Sequence, residues 1–270
     1  MPRVLNIYQN ALRQGRLWTP DVLSLGVWLD ASDVSTITID TGVSVWRDKS
    51  GNGADAENAT GAQQPTYSLT SFFNRPGVLF DGSDDRLTGY TNMFQGNTTH
   101  GAYWLCARRG SGNGLDGYRP WISLQQSSSQ DAGAWGYRNP SGLEASYPYY
   151  GRPNTYYFNN GPSIADNTPY IYAFQQGTSG WQLWRNGVLM GTTNGKSNPD
   201  TTVVGYVISH QLVTNNRRSN NEYGEIICVN NTTDLSRWRI EGYLAWKWGF
   251  QDSLLSASHR FRNRPPLRGD

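Results

Sequence analysis

The stretch WQLWRNGVLMGTT, residues 181–193, constrains the fold of this 270-residue chain more than any other. Its centre is Asn186-Gly187, a dipeptide that tolerates the positive φ angles of a two-residue hairpin turn. The runs on either side are rich in bulky apolar residues, as β-strands are. The stretch therefore predicts two antiparallel strands joined by a tight turn.

Strand patterns recur along the rest of the chain, separated by Gly, Asn, Asp and Pro. In VLSLGVWLDA, Leu23, Leu25, Val27 and Leu29 alternate on one face. Aromatic residues make up 13% of the chain, with 11 Trp and 16 Tyr, beside 30 Gly. This composition is typical of short strands, many turns and an aromatic core. With no internal repeat and no low-complexity linker, the pattern predicts one main domain.

Residues 1–20 are predicted to form an N-terminal arm, closed by Pro20. The arm carries a partial apolar stripe at roughly helical spacing: Val4, Leu5, Tyr8 and Leu12. An isolated short helix is marginal in water, so an ordered arm needs a surface to lie on. Our hypothesis is that the arm is an assembly element, and that residues 21–270 form the domain, including a helix and a tail.

The run IEGYLAWKWG, residues 240–249, belongs to one predicted helix, from about 233 to 250. Thr233 or Asp234 can cap its start. Its structural aromatic residues are Trp238, Tyr243, Trp246 and Trp248. Gly242 and Ala245 are small, so their side is predicted to lie close against a sheet. A helix that is apolar nearly all round is buried on several sides. Either the chain's own termini cover it, which we favour, or part of it meets another subunit.

Several function classes are disfavoured by composition. The net charge is only +2, so no nucleic-acid partner is expected. No run is long enough to span a membrane, and no secretion signal is visible. Without an export signal, Cys106 and Cys228 are expected to be buried free thiols.

Six ordered motifs carry a resemblance to a known family: LDASDVSTI, VSVWRDKSGNGADA, QPTY, RPGVLFDGSDDRL, WQLWRNGVLMGTT and GEIICVNNTTDLSRWRIEGYLAWKWG. Their order resembles that in concanavalin A-like, laminin-G-like jelly-roll domains, in variants that tailed bacteriophages encode. The resemblance spans roughly residues 22–265. It implies an all-β fold of two antiparallel sheets in a jelly-roll sandwich, with a helix after the last strand.

Enzymes on this scaffold include glucanases, which use clustered carboxylates as nucleophile and general acid. The nearest pair in this chain is Glu222 with Glu225, and a spacing of three on a strand predicts opposite faces. His100, His210 and His259 are dispersed, with no triad or zinc spacing. We therefore predict no catalytic residues and no enzymatic activity.

The run FDGSDD offers a candidate calcium site. Asp81, Asp84 and Asp85 supply carboxylates, which calcium prefers, and the resembling domains often hold one calcium ion at a loop rim. The alternative, which we favour, is a tight turn whose Asp side chains bond their own backbone. No other cofactor is expected.

A tyrosine-rich segment is the candidate contact surface for a glycan or a protein. Its tyrosines are Tyr147, Tyr149, Tyr150, Tyr156 and Tyr157. Tyrosine gives amphipathic contact at low entropy cost, which suits recognition. Simple packing over a sheet edge is the alternative, and we rank it ahead of both contacts.

The resemblance and these residues together predict a non-enzymatic virion structural protein of a tailed phage. A capsid decoration protein is the first expectation, and a tail or collar component is the second. The expected partners are other virion proteins, further copies of the chain and a host surface glycan. The expected location is the virion surface, after synthesis in the host cytoplasm without a signal peptide. A carbohydrate-binding module for host adsorption is the alternative, and a glycoside hydrolase is a distant third.

Overall fold

The computed structural model describes residues 10, 13–14, 16–91, 100–110, 118–127, 130–138, 146–147, 164–177, 180–194, 204–211 and 217–270. The strands are β1 Leu25–Asp30, β2 Ile37–Ile39, β3 Val43–Trp46, β4 Ala56–Glu57, β5 Thr66–Ser68, β6 Gly77–Leu79, β7 Leu87–Gly89, β8 His100–Arg108, β9 Tyr118–Ser127, β10 Gln130–Arg138, β11 Ser146–Tyr147, β12 Pro169–Gly177, β13 Gly180–Arg185, β14 Val188–Asn194, β15 Gly205–Ile208, β16 His210–Gln211, β17 Arg217–Arg218 and β18 Asn221–Val229. The helices are α1 Asp234–Lys247 and α2 Gln251–Leu254, with short 3-10 turns at Pro20–Val22, Val34–Thr36 and Gly61–Gln63.

Two eight-stranded sheets build the molecule. Sheet I has the order β14-β13-β12-β8-β18-β6-β5, and β1 also pairs with β18. Sheet II has the order β11-β10-β9-β15-β7-β4-β3-β2, and β16 pairs with β17 as a separate ribbon. The neighbouring strands within each sheet run antiparallel. The prediction of an all-β, two-sheet antiparallel sandwich with a C-terminal helix is confirmed.

Aromatic side chains fill the space between the sheets. Trp104 of β8 stacks on Trp135 of β10 at 5.8 Å between ring centroids. Tyr172 of β12 lies 4.3 Å from Trp121 of β9. All four side chains are at most 1% exposed, so these contacts between the inner faces form the centre of the core.

The predicted hairpin is present. Asn186 and Gly187 join β13 to β14 with φ angles of 53° and 76°. The Asn186 side chain also accepts a hydrogen bond from the Ile171 N–H at 2.9 Å, which ties the turn to β12. Local turn chemistry therefore sets the register of the edge of sheet I.

Helix α1 lies on the outer face of sheet I. Thr233 caps it, because its side chain accepts from the Ser236 N–H while the Ser236 hydroxyl accepts from the Thr233 N–H. Gly249, with a φ of 71°, follows the last turn. The helix is therefore slightly shorter than the predicted 233–250.

Both ends of the described chain cover α1, as we favoured. The ring of Trp18 meets Tyr243 at 6.2 Å, edge to face. The expectation that Gly242 faces a sheet is wrong, since a Cβ there would lie 2.7 Å from the Cβ of Phe261 in the tail. A small residue is needed at that position because the tail, not the sheet, approaches the helix.

The two ends also pair with each other. Leu17 and Leu267 form an antiparallel bridge. The Trp18 N–H donates to the Pro266 carbonyl at 3.1 Å, and the Arg268 N–H donates to the Arg16 carbonyl at 2.8 Å. The arm is thus joined to the tail at its base, while its stripe of Val4, Leu5, Tyr8 and Leu12 lies outside the described residues.

Cys106 and Cys228 are buried and free, as predicted. Among the described residues, no helix has both the length and the apolar character to cross a bilayer.

Candidate functional site

A groove on the outer face of sheet II starts from the sequence RLTGY, residues 86–90. Leu87 points into the core and Gly89 leaves room for the ring of Tyr206. Because side chains alternate along a strand, Arg86, Thr88 and Tyr90 project to the opposite side. Thr88 of β7 and the flanking Arg86 and Tyr90 therefore lie on the face opposite the core, where Thr88 is buried and Tyr90 is exposed.

The neighbouring strands complete the groove. Val45 of β3 lies opposite Glu57 of β4, and Glu57 lies opposite Thr88 of β7. The resulting cavity has a volume of about 490 Å³. It is lined by Ser44, Val45, Glu57, Asn58, Ala59, Thr60, Arg86, Thr88 and Tyr90.

The backbone around this groove is held by Asn58. Its amide nitrogen donates to the carbonyls of Gln63 at 2.9 Å and Arg86 at 3.0 Å. Its amide oxygen accepts from the Thr60 N–H at 2.9 Å, and its carbonyl accepts from Gln64 at 2.8 Å. Groups that line the groove are therefore preorganised, which lowers the entropy cost of binding a ligand.

The aromatic and charged side chains that line the groove are available for contact with a ligand. Tyr90 is 72% exposed, the highest value among the large apolar side chains that the structure describes. Within the described ranges, neither Glu57 nor Arg86 has an ion-pair partner. An open aromatic face beside unpaired donors and acceptors suits a ligand that has both apolar faces and hydroxyl groups.

The acidic turn lies directly before this strand. Oxygens of Asp81, Asp84 and Asp85 approach within 4.8 Å of one another. The Asp81 carboxylate accepts from the Ser83 N–H at 2.7 Å, and Asp85 accepts from the Asp81 N–H at 2.9 Å. Burial raises the pKa of Asp85 to about 7, and the charges of Asp81 and Asp84 also act to raise it, against the Asp81 N–H bond. The turn bonds its own backbone, as we favoured, and calcium binding there stays a prediction.

The predicted tyrosine surface falls mostly outside the described residues. Only Tyr147 lies within them, in β11, where its backbone pairs with Ala134. Tyr149, Tyr150, Tyr156 and Tyr157 lie outside the described ranges.

The carboxylates considered as catalytic candidates have other partners. Glu225 is 0% exposed and accepts four hydrogen bonds. The donors are Trp28 at 2.7 Å, Tyr243 at 2.9 Å, Lys247 at 2.7 Å and Trp248 at 2.8 Å. We call Glu225, these four donors, Asp30 and Lys49 the carboxylate hub.

Two lysines offset the buried acids of the hub. Lys247 bridges Asp30 and Glu225, both at 2.7 Å, and Lys49 reaches Asp30 at 3.0 Å. Burial opposes ionisation of Asp30, but Lys247 and Lys49 outweigh it and lower its pKa to about 2. Burial raises the pKa of Glu225, with Lys247 acting against it. The hub is closed to a substrate and anchors the end of α1 to β18 and β1.

The expectation that Glu222 and Glu225 face opposite sides is wrong. Tyr223 pairs with Cys106 and Glu225 with Leu105, so Gly224 is an extra residue in a β-bulge. The bulge turns Glu225 to the outer face that Glu222 also shares. Glu222 is nevertheless buried there, where it accepts a 2.6 Å hydrogen bond from Arg109.

Sequence reasoning missed the groove. Neither Arg86 nor Tyr90 belongs to a segment that the sequence predicted as a site. Tyr90 is a lone tyrosine and not part of the tyrosine-rich segment. The usable signal was the alternation in RLTGY, where Leu87 and Gly89 fit a core face and Arg86, Thr88 and Tyr90 do not.

Solved structures share this fold at low sequence identity. Trypanosoma rangeli sialidase matches with a TM-score of 0.54 and 15% identity, over 85% of this chain and 33% of the sialidase chain. Domain 4 of a GH43 extracellular arabinanase from Geobacillus stearothermophilus, in complex with arabinotriose, matches with a TM-score of 0.58 and 10% identity, over 80% and 96% of the two chains. The binding domain of botulinum neurotoxin serotype G matches with a TM-score of 0.54 and 9% identity, over 84% and 52%.

No family model and no curated protein matches this chain. The chain spans about a third of the length of the sialidase chains that share its fold. The prediction that the protein is not an enzyme is contradicted, because the structures that it resembles include sialidase chains and a domain of an arabinanase. The tailed-phage assignment finds no counterpart in these matches and stays a prediction.

Proposed function

We propose that this chain is a carbohydrate-binding β-sandwich that holds a glycan in the groove on sheet II. The observation that carries the proposal is the row of Arg86, Thr88 and Tyr90, with Tyr90 open to solvent over a fixed cavity. The Tyr90 ring provides a flat apolar face on which a sugar ring stacks. Arg86 donates hydrogen bonds to sugar oxygens, while Glu57 accepts them from hydroxyl groups.

One structure of similar fold was solved with a bound carbohydrate. Domain 4 of the arabinanase is a sandwich of similar size that was solved with arabinotriose. At such low identity the likeness carries the fold alone, so the choice of ligand rests on the groove.

The test compares binding of neutral oligosaccharides, beginning with arabinotriose, to the wild type and to Tyr90→Ala by isothermal titration calorimetry. Loss of the stacking ring is expected to weaken binding about tenfold. Leu69→Ala is the matched control, because Leu69 is also exposed and lies beyond β5 of the other sheet. Equal affinity of Tyr90→Ala and wild type would refute the groove. The same mixtures are analysed for released sugar, which measures hydrolysis.

A tailed-phage virion is the setting that we propose for this role, on the basis of the motif order alone. There the sandwich would face the host surface, and the arm would contact other virion proteins or further copies of the chain. Detection of the chain in purified particles by mass spectrometry, and its position by immuno-electron microscopy, test this setting. Its absence from intact particles would remove the virion from the proposal and leave the groove standing.

A further inference from the structure

The tail carries a concentration of positive charge that the groove does not use. Residues 255–268 contain four arginines, Arg260, Arg262, Arg264 and Arg268, and no acidic residue. We call residues 260–268 the arginine strip.

The backbone of the arginine strip is anchored. Phe261 is fully buried, and its carbonyl accepts a 2.6 Å hydrogen bond from the Trp246 indole. The Phe261 N–H donates to the His259 ring at 3.2 Å, and Leu267 bridges to Leu17. The guanidinium groups therefore project from a fixed support and not from a loose tail.

The positive charges of the strip are only partly neutralised. Arg260 and Arg264 lie on the Phe261 ring, with guanidinium carbons 5.6 Å and 5.5 Å from its centroid. Arg262 donates to the carbonyls of Leu255 and Asp252, which hold it in place without cancelling its charge. Among the described carboxylates, none lies within ion-pair distance of Arg260 or Arg262.

One arginine of the strip, Arg264, is paired with a carboxylate of the chain itself. Asp270 accepts two parallel hydrogen bonds from Arg264, at 2.7 Å and 2.8 Å. This fork is the geometry in which arginine recognises a planar carboxylate. Arg268 is 54% exposed beside Asp21 at 3.4 Å, and the exposed Arg16 adjoins it through the chain-end pairing.

We propose that the arginine strip is a second binding surface, for an acidic polysaccharide that carries carboxylates on successive sugar units. Repeated carboxylates match repeated guanidinium groups on a rigid support. A single-stranded nucleic acid fits less well, because the one ring in the strip, Phe261, is buried and cannot stack on bases. The proposal extends the proposed glycan function but uses residues remote in sequence from the groove, so each can fail without the other.

The test measures binding of polygalacturonate by affinity electrophoresis at about 50 mM and about 200 mM salt. Arg260→Gln/Arg264→Gln is expected to weaken binding about tenfold at the lower salt and to reduce its salt dependence. Arg260→Gln is measured beside the double variant, and Arg47→Gln is its control, because Arg47 is exposed, lies in another loop and its replacement also removes one charge. Tyr90→Ala is expected to bind polygalacturonate as the wild type does.

Two results would overturn the proposal: wild-type affinity in the double variant, or an equal loss in Arg47→Gln. If the double variant has a lowered melting temperature, Arg260→Gln replaces it, since Arg260 has no ion-pair partner among the described residues, and an affinity equal to wild type again refutes the strip. An oligothymidylate that binds through the same arginines at least as tightly as polygalacturonate would show that the ligand class is wrong. Loss of neutral-glycan binding in Tyr90→Ala alone leaves this proposal intact.

Discussion

Glu225 and Glu57 are both carboxylates beside aromatic rings, yet they sit in opposite surroundings. Glu225 is enclosed under α1, with four donors of the carboxylate hub directed at it. Glu57 lies on the outer face of sheet II, near Tyr90 and Arg86, without a charged partner among the described residues. The same residue types build a closed joint on one sheet and an open groove on the other.

On the proposed function, solvent access and free hydrogen-bonding capacity, not residue type, separate the structural acid Glu225 from the binding acid Glu57. In the hub every acceptor position of Glu225 is used by the protein. In the groove, neither Glu57 nor Arg86 has an ion-pair partner among the described residues. The motif Tyr243, Lys247 and Trp248 is thereby explained as a set of donors for one buried carboxylate.

The largest expected effect comes from breaking the hub. Glu225→Gln leaves Lys247 short of one partner and turns an amide group toward the Trp248 and Lys247 donors. We expect the free energy of unfolding to fall by about 3–5 kcal/mol, as for a broken buried ion pair. Urea denaturation measures it, with Glu57→Gln as the matched change in the groove, expected within about 0.5 kcal/mol of wild type. Similar losses in both variants would abolish the distinction between joint and groove.

The pH dependence sharpens the comparison, because two aspartates shift in opposite directions. The pKa of Asp30 is lowered to about 2 in the fold, so its stabilisation is lost as pH falls from about 4 toward 2. The pKa of Asp85 is raised from its ordinary 3.8 to about 7, so this buried group costs stability progressively as pH rises from about 4 to 7, and the full cost is present above 7. Asp85→Asn is therefore expected to raise the melting temperature by about 2–4 °C at pH 8 and to leave it unchanged near pH 4.

A shift of the same size at both pH values would contradict the charge explanation. Calcium bound at this turn would offset the repulsion between the carboxylates of Asp81, Asp84 and Asp85. If it binds, the ion raises the melting temperature of the wild type at pH 8, and Asp84→Ala abolishes that rise. An unchanged melt with and without chelator leaves Asp81, Asp84 and Asp85 as turn formers.

The smallest effect on stability is expected from the arm. Deleting residues 1–15 keeps Leu17 and Trp18, which are buried against the tail and α1. The melting temperature is expected to stay within about 2 °C of wild type, while incorporation into assembled particles decreases. Deleting residues 1–18 is the contrasting variant, since it removes the Trp18 ring from its contact with Tyr243 and is expected to lower the melting temperature. Normal assembly without residues 1–15 would end the anchoring role.

Local patterns predicted much of the fold. The turn at Asn186-Gly187 and the cap at Thr233 depend on neighbours in sequence, so they can be read from the chain alone. The alternation predicted for β1 holds only from Val27 to Leu29, because the pairing with β18 shifts register between Leu25 and Val27. The bulge at Gly224 and the partners of Glu225 depend on strands and a helix that meet only after folding. Trp28 lies 197 positions from Glu225, and no local signal joins them.

The groove was hidden for the same reason. Glu57 and Arg86 become neighbours only because β4 pairs with β7. Strand β7 has only three residues, so its polar pattern is too short to predict a binding site ahead of the tyrosine-rich segment. The alternation in RLTGY indicates an outward row, but only the sheet order shows which residues face it.

The bridge between Leu17 and Leu267 has a consequence for how the molecule can be joined to others. Antiparallel partners lie about 5 Å apart at their Cα atoms, so the path from residue 17 to residue 267 begins and finishes at nearly one point. Such a unit can be spliced into a surface loop of a host protein without forcing that loop's flanks apart. It can equally be re-cut at an exposed turn after residues 17 and 267 are linked, giving a permuted chain with the same two sheets.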